Sequence, residues 1–559
     1  MKHLKFVAKK HRKLIAAFII GGMAHSFLLS FNARYFQIVV DNFTNGTLTI
    51  ANIAIYGTAL LATYIVCYAF MYPEKKLEDS IALSLKTAAL RKISVIDYLS
   101  YVKIGTGTLI QRIENGADAG KNILFEGYIR IIGEILPGMI FSIIFVFTIS
   151  RPVMVALLLG YIIVFIISNI LLKILYKVKE NILVNEEKLN HFLVRGFMEM
   201  VVFRLNRRFA REIKKTEAAS TEIVSSRVKL RLVHEAFFTI FALLVGFVKI
   251  GIIIYGWRTG ELSIGQIVAL IVLVDNVYQP IAILNVKYIY YKLDKIALAR
   301  FTEFLDAKED VCLTHGKHIP QLHGNISFCN VSFSYDGREI FNGFSLDIAQ
   351  GKATAFVGES GSGKSTAAKL MVGLLKPDSG KITIDNIDLQ QANLNSYYEH
   401  IAYLPQEPPI FNGTFRENLV FDESVDDTVL LNAIEKAGLS ELYSKLENGL
   451  DTQLGERGVS LSGGERQQLA LARLWFSDAK IIIFDEATSA IDNLTEEAVM
   501  SNVMELLNGK TIVAIAHRLD SVKDFDEILL FHDGRITERG KFDELMDKRQ
   551  GFYELYNRS

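Results

Sequence analysis

GESGSGKST, residues 358–366, sets three glycines, a lysine and four hydroxyls between the apolar run ATAFV and the helical pattern AAKLMVGLL. Glycines let successive backbone N–H groups wrap a phosphate, and the helix that follows adds its positive end. In the spacing G-x-x-x-x-G-K-[ST], Lys364 reaches the β- and γ-phosphates and Ser365 offers its hydroxyl to Mg²⁺. Gly358, Glu359, Ser360, Gly361, Ser362, Gly363 and Thr366 complete the loop. An ordinary Gly-rich turn is the competing reading, and it leaves the strand–loop–helix setting unexplained.

KIIIFDEATSAID, residues 480–492, ends an apolar run on two acids. Asp485 at the strand end suits Mg²⁺, directly or through water, and Glu486 suits polarising the attacking water. Helix-capping charge is the plainer alternative. TIVAIAH ends on His517, at the strand edge where ligands of a parallel sheet bind, which favours a γ-phosphate contact over a structural histidine. YLPQEPPIF places Gln406 after another short run. Its amide reads equally as part of a turn or as a contact to Mg²⁺ and the water. LSGGERQQLALAR, 461–473, opens a helix with Ser462, Gly463, Gly464 and Glu465, a second apparent anion site in one chain.

The elements that must hold these residues fall into two kinds. From about residue 325, short β-rich runs alternate with helical ones, which predicts an α/β domain with a mainly parallel core sheet. Before residue 290 the chain carries long apolar runs: Leu14–Ala33, Asn42–Pro73, Ile135–Ser150, Pro152–Leu172, Ala236–Trp257 and Leu262–Val286. Each is near or above the length that crosses about 30 Å of hydrocarbon as a helix, so six spans are expected. The links 74–130 and 173–235 are long, helical in pattern and rich in Lys and Arg, which places them and both termini on the cytoplasmic side. A basic start before an apolar run of about 20 residues fits a first span better than a signal peptide. The 559 residues are too many for one ordinary domain. Mean hydropathy is +0.26 and net charge is zero, which argues against a nucleic-acid binder. The three cysteines, Cys67, Cys312 and Cys329, form no C-x-x-C pair, so neither a disulfide framework nor a zinc site is expected.

Charges inside spans are expensive and usually functional. Lys249 and Asp275 flank the short link 258–263 at depths that differ by roughly 5 Å, so a salt bridge between the fifth and sixth spans is expected. A substrate-facing role and snorkelling are the alternatives. Arg130 and Glu134 suit a local i, i+4 pair. His25, Arg34 and Asp41 suit a cavity lining or an interface, and Pro137 and Pro280 suit kinks.

Taken in order, GESGSGKS, YLPQ, LSGGERQ, IIIFDE, SAID and AIAH resemble an ATP-binding cassette ATPase over residues 325–559, and the first 290 residues resemble, more loosely, the six-helix membrane domain of exporter-type members. The resemblance implies that Tyr335 stacks on adenine. It implies that Gln406 contacts Mg²⁺ and the membrane loops, that Asp485 holds Mg²⁺, and that Glu486 is the general base. Asp492 then becomes the acid of a dimer-contact loop and His517 the switch histidine. Leu461 to Glu465 match the signature, which in this family faces the γ-phosphate held by the partner's phosphate loop. GTGTLIQRIEN, 105–115, looks like the first cytoplasmic loop, with Gly116 where an acid is common, and Ile491 replaces a commoner leucine in SAID.

The expected organisation is a membrane domain over 1–290, a connecting helix and linker over 291–324, and an α/β P-loop NTPase domain over 325–559. The expected function is half of an ATP-driven transporter in the cytoplasmic membrane, working with ATP and Mg²⁺. It pairs with a second half-transporter, an identical chain or a close paralogue, moves an unnamed small molecule, lipid or peptide outward, and has no nucleic-acid partner. An importer on the same fold and an ATP-gated regulator are the rival readings. No peptidase-like extension precedes the first apolar run, so leader-peptide processing is not expected.

Overall fold

The computed structural model describes residues 2–420, 425–455, 461–516 and 518–558, apart from some side chains within 106–108, 161–198, 279–293 and at 493. The chain divides into two compact units. One holds Met1–Ser94 and Ile104–Ala307, the other Val95–Lys103 and Lys308–Ser559.

The first unit is helical. A short amphipathic helix, α1 (Lys2–Lys10), precedes α2 (Arg12–Thr44) and α3 (Ile50–Ile93). After α4 (Tyr98–Ile104) come α5 (Thr106–Lys121), a π-helical stretch over 122–135, and α6 (Leu136–Ile149). Then follow α7 (Arg151–Met198), α8 (Met200–Leu205), α9 (Phe209–Thr259) and α10 (Ile264–Leu305). Each expected apolar run falls in one long helix, except that Asn42–Pro73 is divided. A turn through Gly46 at φ +69° ends α2, and Thr49 then caps α3 by accepting from the Asn52 N–H. Four helices, Arg12–Thr44, Ile50–Ile93, Leu109–Ile149 and Phe209–Thr259, are long and apolar enough to cross a membrane on their described residues. The apolar segments Arg151–Gly160 and Ile264–Tyr278 begin the other two. The Lys- and Arg-rich links are helical too, so α3, α7 and α9 run well beyond their apolar parts.

Polar groups stitch these helices together. Lys249 lies 2.7 Å from the Asp275 carboxylate, joining α9 to α10. Arg130 pairs with Glu134 at 3.5 Å as expected, and it also gathers Glu74 and Glu126, the latter shared with Lys287. Pro280 lies inside α10, whereas Pro137 is the second residue of α6, directly after the π-helical turns that loosen the helix there. Gly116 has a packing reason: a Cβ there would lie 2.2 Å from the Phe301 Cβ, so α5 and α10 touch only because the side chain is missing.

The second unit is the α/β part. Its strands are β1 (Ile326–Tyr335), β2 (Arg338–Ile348), β3 (Ala353–Gly358), β4 (Ser379–Ile384), β5 (Ile387–Asp388) and β6 (Ile401–Leu404). They continue with β7 (Gly413–Thr414), β8 (Gln453–Leu454), β9 (Ile481–Asp485), β10 (Thr511–Ile515), β11 (Glu527–His532) and β12 (Arg535–Gly540). The main sheet has the order β12-β11-β3-β10-β9-β6, parallel except for β12, and an antiparallel sheet β2-β1-β4-β5 accompanies it. β9 and β10 are buried at every residue, as a sheet covered on both faces requires. Alternation divides β9 cleanly: Ile481 and Ile483 join one core with Phe328 and Phe341, while Ile482 and Phe484 join the other with Val503 and Leu530. A third core, around Phe415, Leu430, Ile434 and Leu469, builds a helical lobe.

The segment Val95–Lys103 belongs to this unit although it lies far upstream. Asp310 N–H donates to the Val95 carbonyl and Asp97 N–H to that of Lys308. Tyr98 and Leu99 of α4 pack on the first core, and Lys103 pairs with Asp336 at 2.7 Å. The link between α3 and α5 therefore meets the α/β unit through 95–103, ahead of 105–115, whose described residues continue into α5 of the helical unit.

Candidate functional site

β3 delivers the phosphate loop. Gly358 at its end has φ +139°, and a Cβ there would lie 2.2 Å from the Phe531 carbonyl oxygen on β11. Gly361 and Gly363 also take positive φ, conformations that other residues resist. Helix α11 (Lys364–Met371) starts directly after them. Lys364 is buried, and its ammonium donates to the carbonyls of Gly358 and Glu359 at 2.8 and 2.9 Å. Burial lowers its pKa, against the raising fields of Glu486 and Asp485. The Ser362 hydroxyl is buried and has no hydrogen-bond partner among the described residues. A cleft of about 330 Å³ opens here, lined among others by Arg338, Ser360, Lys364, Ser365, Thr366 and Glu486.

Register brings the acids to the same edge. Ile515 pairs with Phe356 on one side and Asp485 on the other, and Leu404 pairs with Phe484. β6, β9 and β10 therefore end at about one level, and β3 runs two residues further into the phosphate loop. Ser365 Oγ donates to Asp485 Oδ1 at 3.2 Å, and the Tyr403 hydroxyl donates to Oδ2 at 2.8 Å. Burial and that carboxylate push the Tyr403 pKa up, so the phenol keeps its proton as donor. Glu486 follows with φ +55°, a strained conformation held by its N–H on the Ile515 carbonyl at 3.2 Å. Gln406 Nε2 donates to Glu486 Oε2 at 2.6 Å. Hydroxyl and carboxylate oxygens converge beside a phosphate loop with a partnerless buried hydroxyl. That donor set fits a hard cation shared with phosphate oxygens.

The second glycine pair is not part of the lining of that cleft. Helix α12 (Leu394–Tyr398) precedes β6. The lobe is built from α13 (Phe415–Leu419), α14 (Asp427–Lys436), α15 (Ser440–Ser444) and α16 (Gly463–Ala472). Ser462 and Glu465 cap α16 reciprocally: the Ser462 hydroxyl accepts from the Glu465 N–H at 3.3 Å, and the Glu465 carboxylate accepts from the Ser462 N–H at 2.7 Å. A Cβ on Gly464 would lie 2.9 Å from the Ala490 carbonyl oxygen, so the start of α16 rides on the SAID loop. Asp492 caps α17 (Asn493–Leu506) by accepting from the Thr495 N–H at 3.0 Å, a bond that holds its carboxyl below the usual carboxylate range.

Comparison with known proteins agrees with this geometry. A family model described as ABC transporter matches residues 341–489. The chain is 34% identical over 337 residues to the uncharacterized ABC transporter ATP-binding protein YwjA of Bacillus subtilis (strain 168), covering 59% of this chain and 57% of that one. It is 36% identical over 303 residues to the exotoxin translocation ATP-binding protein PaxB of Pasteurella aerogenes, covering 54% and 42%. It is 37% identical over 299 residues to the leukotoxin translocation ATP-binding protein LktB of Mannheimia haemolytica, covering 53% and 42%. The chain thus spans about half the length of these curated relatives. A solved bacterial Atm1-family ABC exporter with ATP bound shares the fold at a TM-score of 0.81 and 23% identity, covering 99% of this chain and 98% of that one.

The structure separates the expected residues. The loop 358–366, Gln406, Asp485 and Glu486 come together at one sheet edge. Ser462, Gly463, Gly464 and Glu465 do not line the cleft. Tyr335 ends β1 against Phe333, with its ring centroid 4.8 Å away, opposite Arg338, which does line the cleft. His517 lies outside the described residues. The structure adds residues to which sequence reading assigned no role. Gln467, 2% exposed, donates to the carbonyls of Gln406 and Glu486 and to Ser489 Oγ, and accepts from the Ala490 N–H at 2.8 Å. Buried Glu496 holds Thr488 at 2.6 Å and Arg518 at 2.8 Å, and Arg518 also reaches the Ile491 carbonyl. The polar interruption of an apolar helix face, GERQQLALA, was the one signal that marked Gln467.

Proposed function

We propose that this chain is one half of an ATP-driven exporter in the cytoplasmic membrane with both termini cytoplasmic, and that it hydrolyses ATP with Mg²⁺. The convergence of Lys364, Ser365, Asp485, Gln406 and Glu486 on one cleft carries this reading. The loop N–H groups and Lys364 bind the phosphates, Lys364 exchanging its two carbonyl partners for phosphate oxygens. Ser365 and Asp485 hold Mg²⁺, which neutralises charge developing on the phosphoryl group. Glu486, held in strained backbone and aimed by Gln406, takes the proton of the attacking water, and His517 contacts the γ-phosphate. Tyr335 supports the adenine.

The partner is a second half-transporter, identical or closely related. Ser462, Gly463 and Gly464, at a helix start that does not line their own cleft, supply the other side of the partner's site, and Asp492 lies in the contact loop. ATP closes the pair, hydrolysis reopens it, and the long helical links carry the motion to alternating access in the membrane. The names of PaxB and LktB, which are translocation proteins, favour export.

The test is Glu486→Gln in purified, reconstituted protein. Nucleotide binding should persist while turnover falls by about 10²–10⁴-fold, the usual worth of general base catalysis. Near-normal turnover removes Glu486 from the role of base. Direction is read from ATP-dependent flux in inside-out vesicles.

A further inference from the structure

Tyr403, the tyrosine of YLPQ, holds one of the two oxygens of the Asp485 carboxylate. β6 runs parallel to β9 with Tyr403 opposite Ile483. Alternation along a strand puts Ile481, Ile483 and Asp485 on one face of β9, and Tyr403 shares that face from β6. Its ring packs on the core that contains Ile481 and Ile483, and its hydroxyl bonds Asp485, one step further along the face. The Asp485 carboxylate is 7% exposed, and its two oxygens have different partners. Oδ1 accepts from Ser365 Oγ at 3.2 Å and Oδ2 from the Tyr403 hydroxyl at 2.8 Å. No other hydrogen bond to this carboxylate occurs among the described residues.

The two donors come from elements on either side of β9, which the sheet order β3-β10-β9-β6 places between them. Ser365 belongs to α11, the helix that follows β3, and it lines the cleft. Tyr403 belongs to β6 and does not line it. Oδ1 is thus the oxygen joined to the cleft, and Oδ2 is the one tied to the neighbouring strand. A bond at one oxygen fixes the rotation of the whole carboxylate, and that matters to a cation. Mg²⁺ demands near-octahedral oxygens at about 2.0–2.1 Å and is met by single oxygens of carboxylates and phosphates. Ca²⁺ takes six to eight oxygens at about 2.3–2.6 Å and readily accepts both oxygens of one carboxylate. A carboxylate pinned at Oδ2 suits the first and denies the second an extra ligand. To offer both oxygens, Asp485 would have to leave a part-buried phenol without its acceptor.

We propose that Tyr403 is a positioning residue that sets the cation selectivity of the nucleotide cleft: by occupying Oδ2 it limits Asp485 to one oxygen and favours Mg²⁺ over Ca²⁺. Tyr403 touches neither nucleotide nor cation in this role and acts through Asp485 alone. This rests on the reading of the cleft as a site for ATP with Mg²⁺ and deepens it.

The test reads binding rather than turnover. The full chain in lipid nanodiscs is titrated with mant-AMPPNP, a fluorescent nucleotide that is not hydrolysed, in EDTA, in excess Mg²⁺ and in excess Ca²⁺. The unmodified protein should bind the Mg²⁺ complex about tenfold or more tightly than the Ca²⁺ complex, the worth of a hydrogen bond to a charged group. Tyr403→Phe keeps the ring and removes the hydroxyl. It should tighten the Ca²⁺ complex so that the preference for Mg²⁺ falls by about tenfold, with affinity in EDTA unchanged within about twofold. A hydroxyl that serves only the fold moves all three affinities together, and that result overturns the proposal, as does an unmoved ratio. Should Tyr403→Phe fail to fold, the unmodified protein decides: equal affinities for the two complexes overturn the proposal. The reading of the cleft is judged separately. Absence of binding, or binding that EDTA does not weaken, defeats that reading, whereas cation-dependent binding with an unmoved ratio defeats only the role of Tyr403.

Discussion

At the scale of single residues, Gln467 shows what a side-chain amide does that a motif letter does not convey. It ties the start of α16 to the backbones of Gln406 and Glu486 and to the SAID loop, all through one buried group. Replacing it with leucine leaves the Ala490 N–H without its acceptor and loosens the segment that holds Glu486 at positive φ. Gln467→Leu should lower kcat by about 10–100-fold, the cost of one or two buried hydrogen bonds, with KM for ATP within about twofold. A parallel rise in KM means that the amide serves nucleotide binding instead. Lys364, Ser365, Asp485 and Glu486 were legible in the sequence because each stands at a fixed offset from a strand end. Gln467 carried only a weak polar signal, because its four partners come from two separate segments, Gln406 and 486–490, that only tertiary folding assembles.

At the scale of elements, the helices of the first unit are held by pairs that can be exchanged together. Lys249→Met or Asp275→Leu alone leaves a charge without its partner inside a span and should lower Tm, and the double replacement should recover most of the loss. Absence of recovery means that the two charges act separately. A second handle is Asp294 on α10, beyond the apolar part of that helix, where burial pushes the carboxyl up to about 6, opposed by a hydrogen bond from Asn122. The folded state binds this proton more tightly than the unfolded chain. The associated stability is therefore complete below about pH 4 and lost as pH rises through 6. Asp294→Asn should raise Tm at pH 8 relative to the parent and change it little at pH 4; an equal shift at both values places the effect elsewhere. Apolar length marked in advance the helices of this unit, four of which are long and apolar enough to cross a membrane on their described residues. The close contact of Gly116 with Phe301 could not be read in advance, since a glycine's neighbour across a helix seam has no trace in local pattern.

At the scale of the whole molecule, the proposal of a pair is open to a direct experiment. Glu486→Gln protein should associate more strongly on ATP addition, as seen by cross-linking of the reconstituted chain. Adding Ser462→Arg to the same chain should abolish that gain, because bulk and length at the start of α16 block the facing site. ATP-induced association that survives Ser462→Arg removes the signature from the contact. The two-part organisation was visible in composition alone, as apolar runs before residue 290 and β-rich runs after 325. What composition concealed is that the α/β unit is not one continuous stretch of chain.

That discontinuity sets a schedule for synthesis. Residues 95–103 leave the ribosome about 200 residues before Lys308. At about 5–20 residues per second, Tyr98 and Leu99 wait on the order of 10–40 s, apolar side chains exposed, before the rest of their unit even begins to be made. During that interval the helices on either side, α3 and α5, are already made. The nascent chain must therefore keep a nine-residue segment free while its flanks fold, and a fragment that begins at Lys308 is born without a piece of its own core.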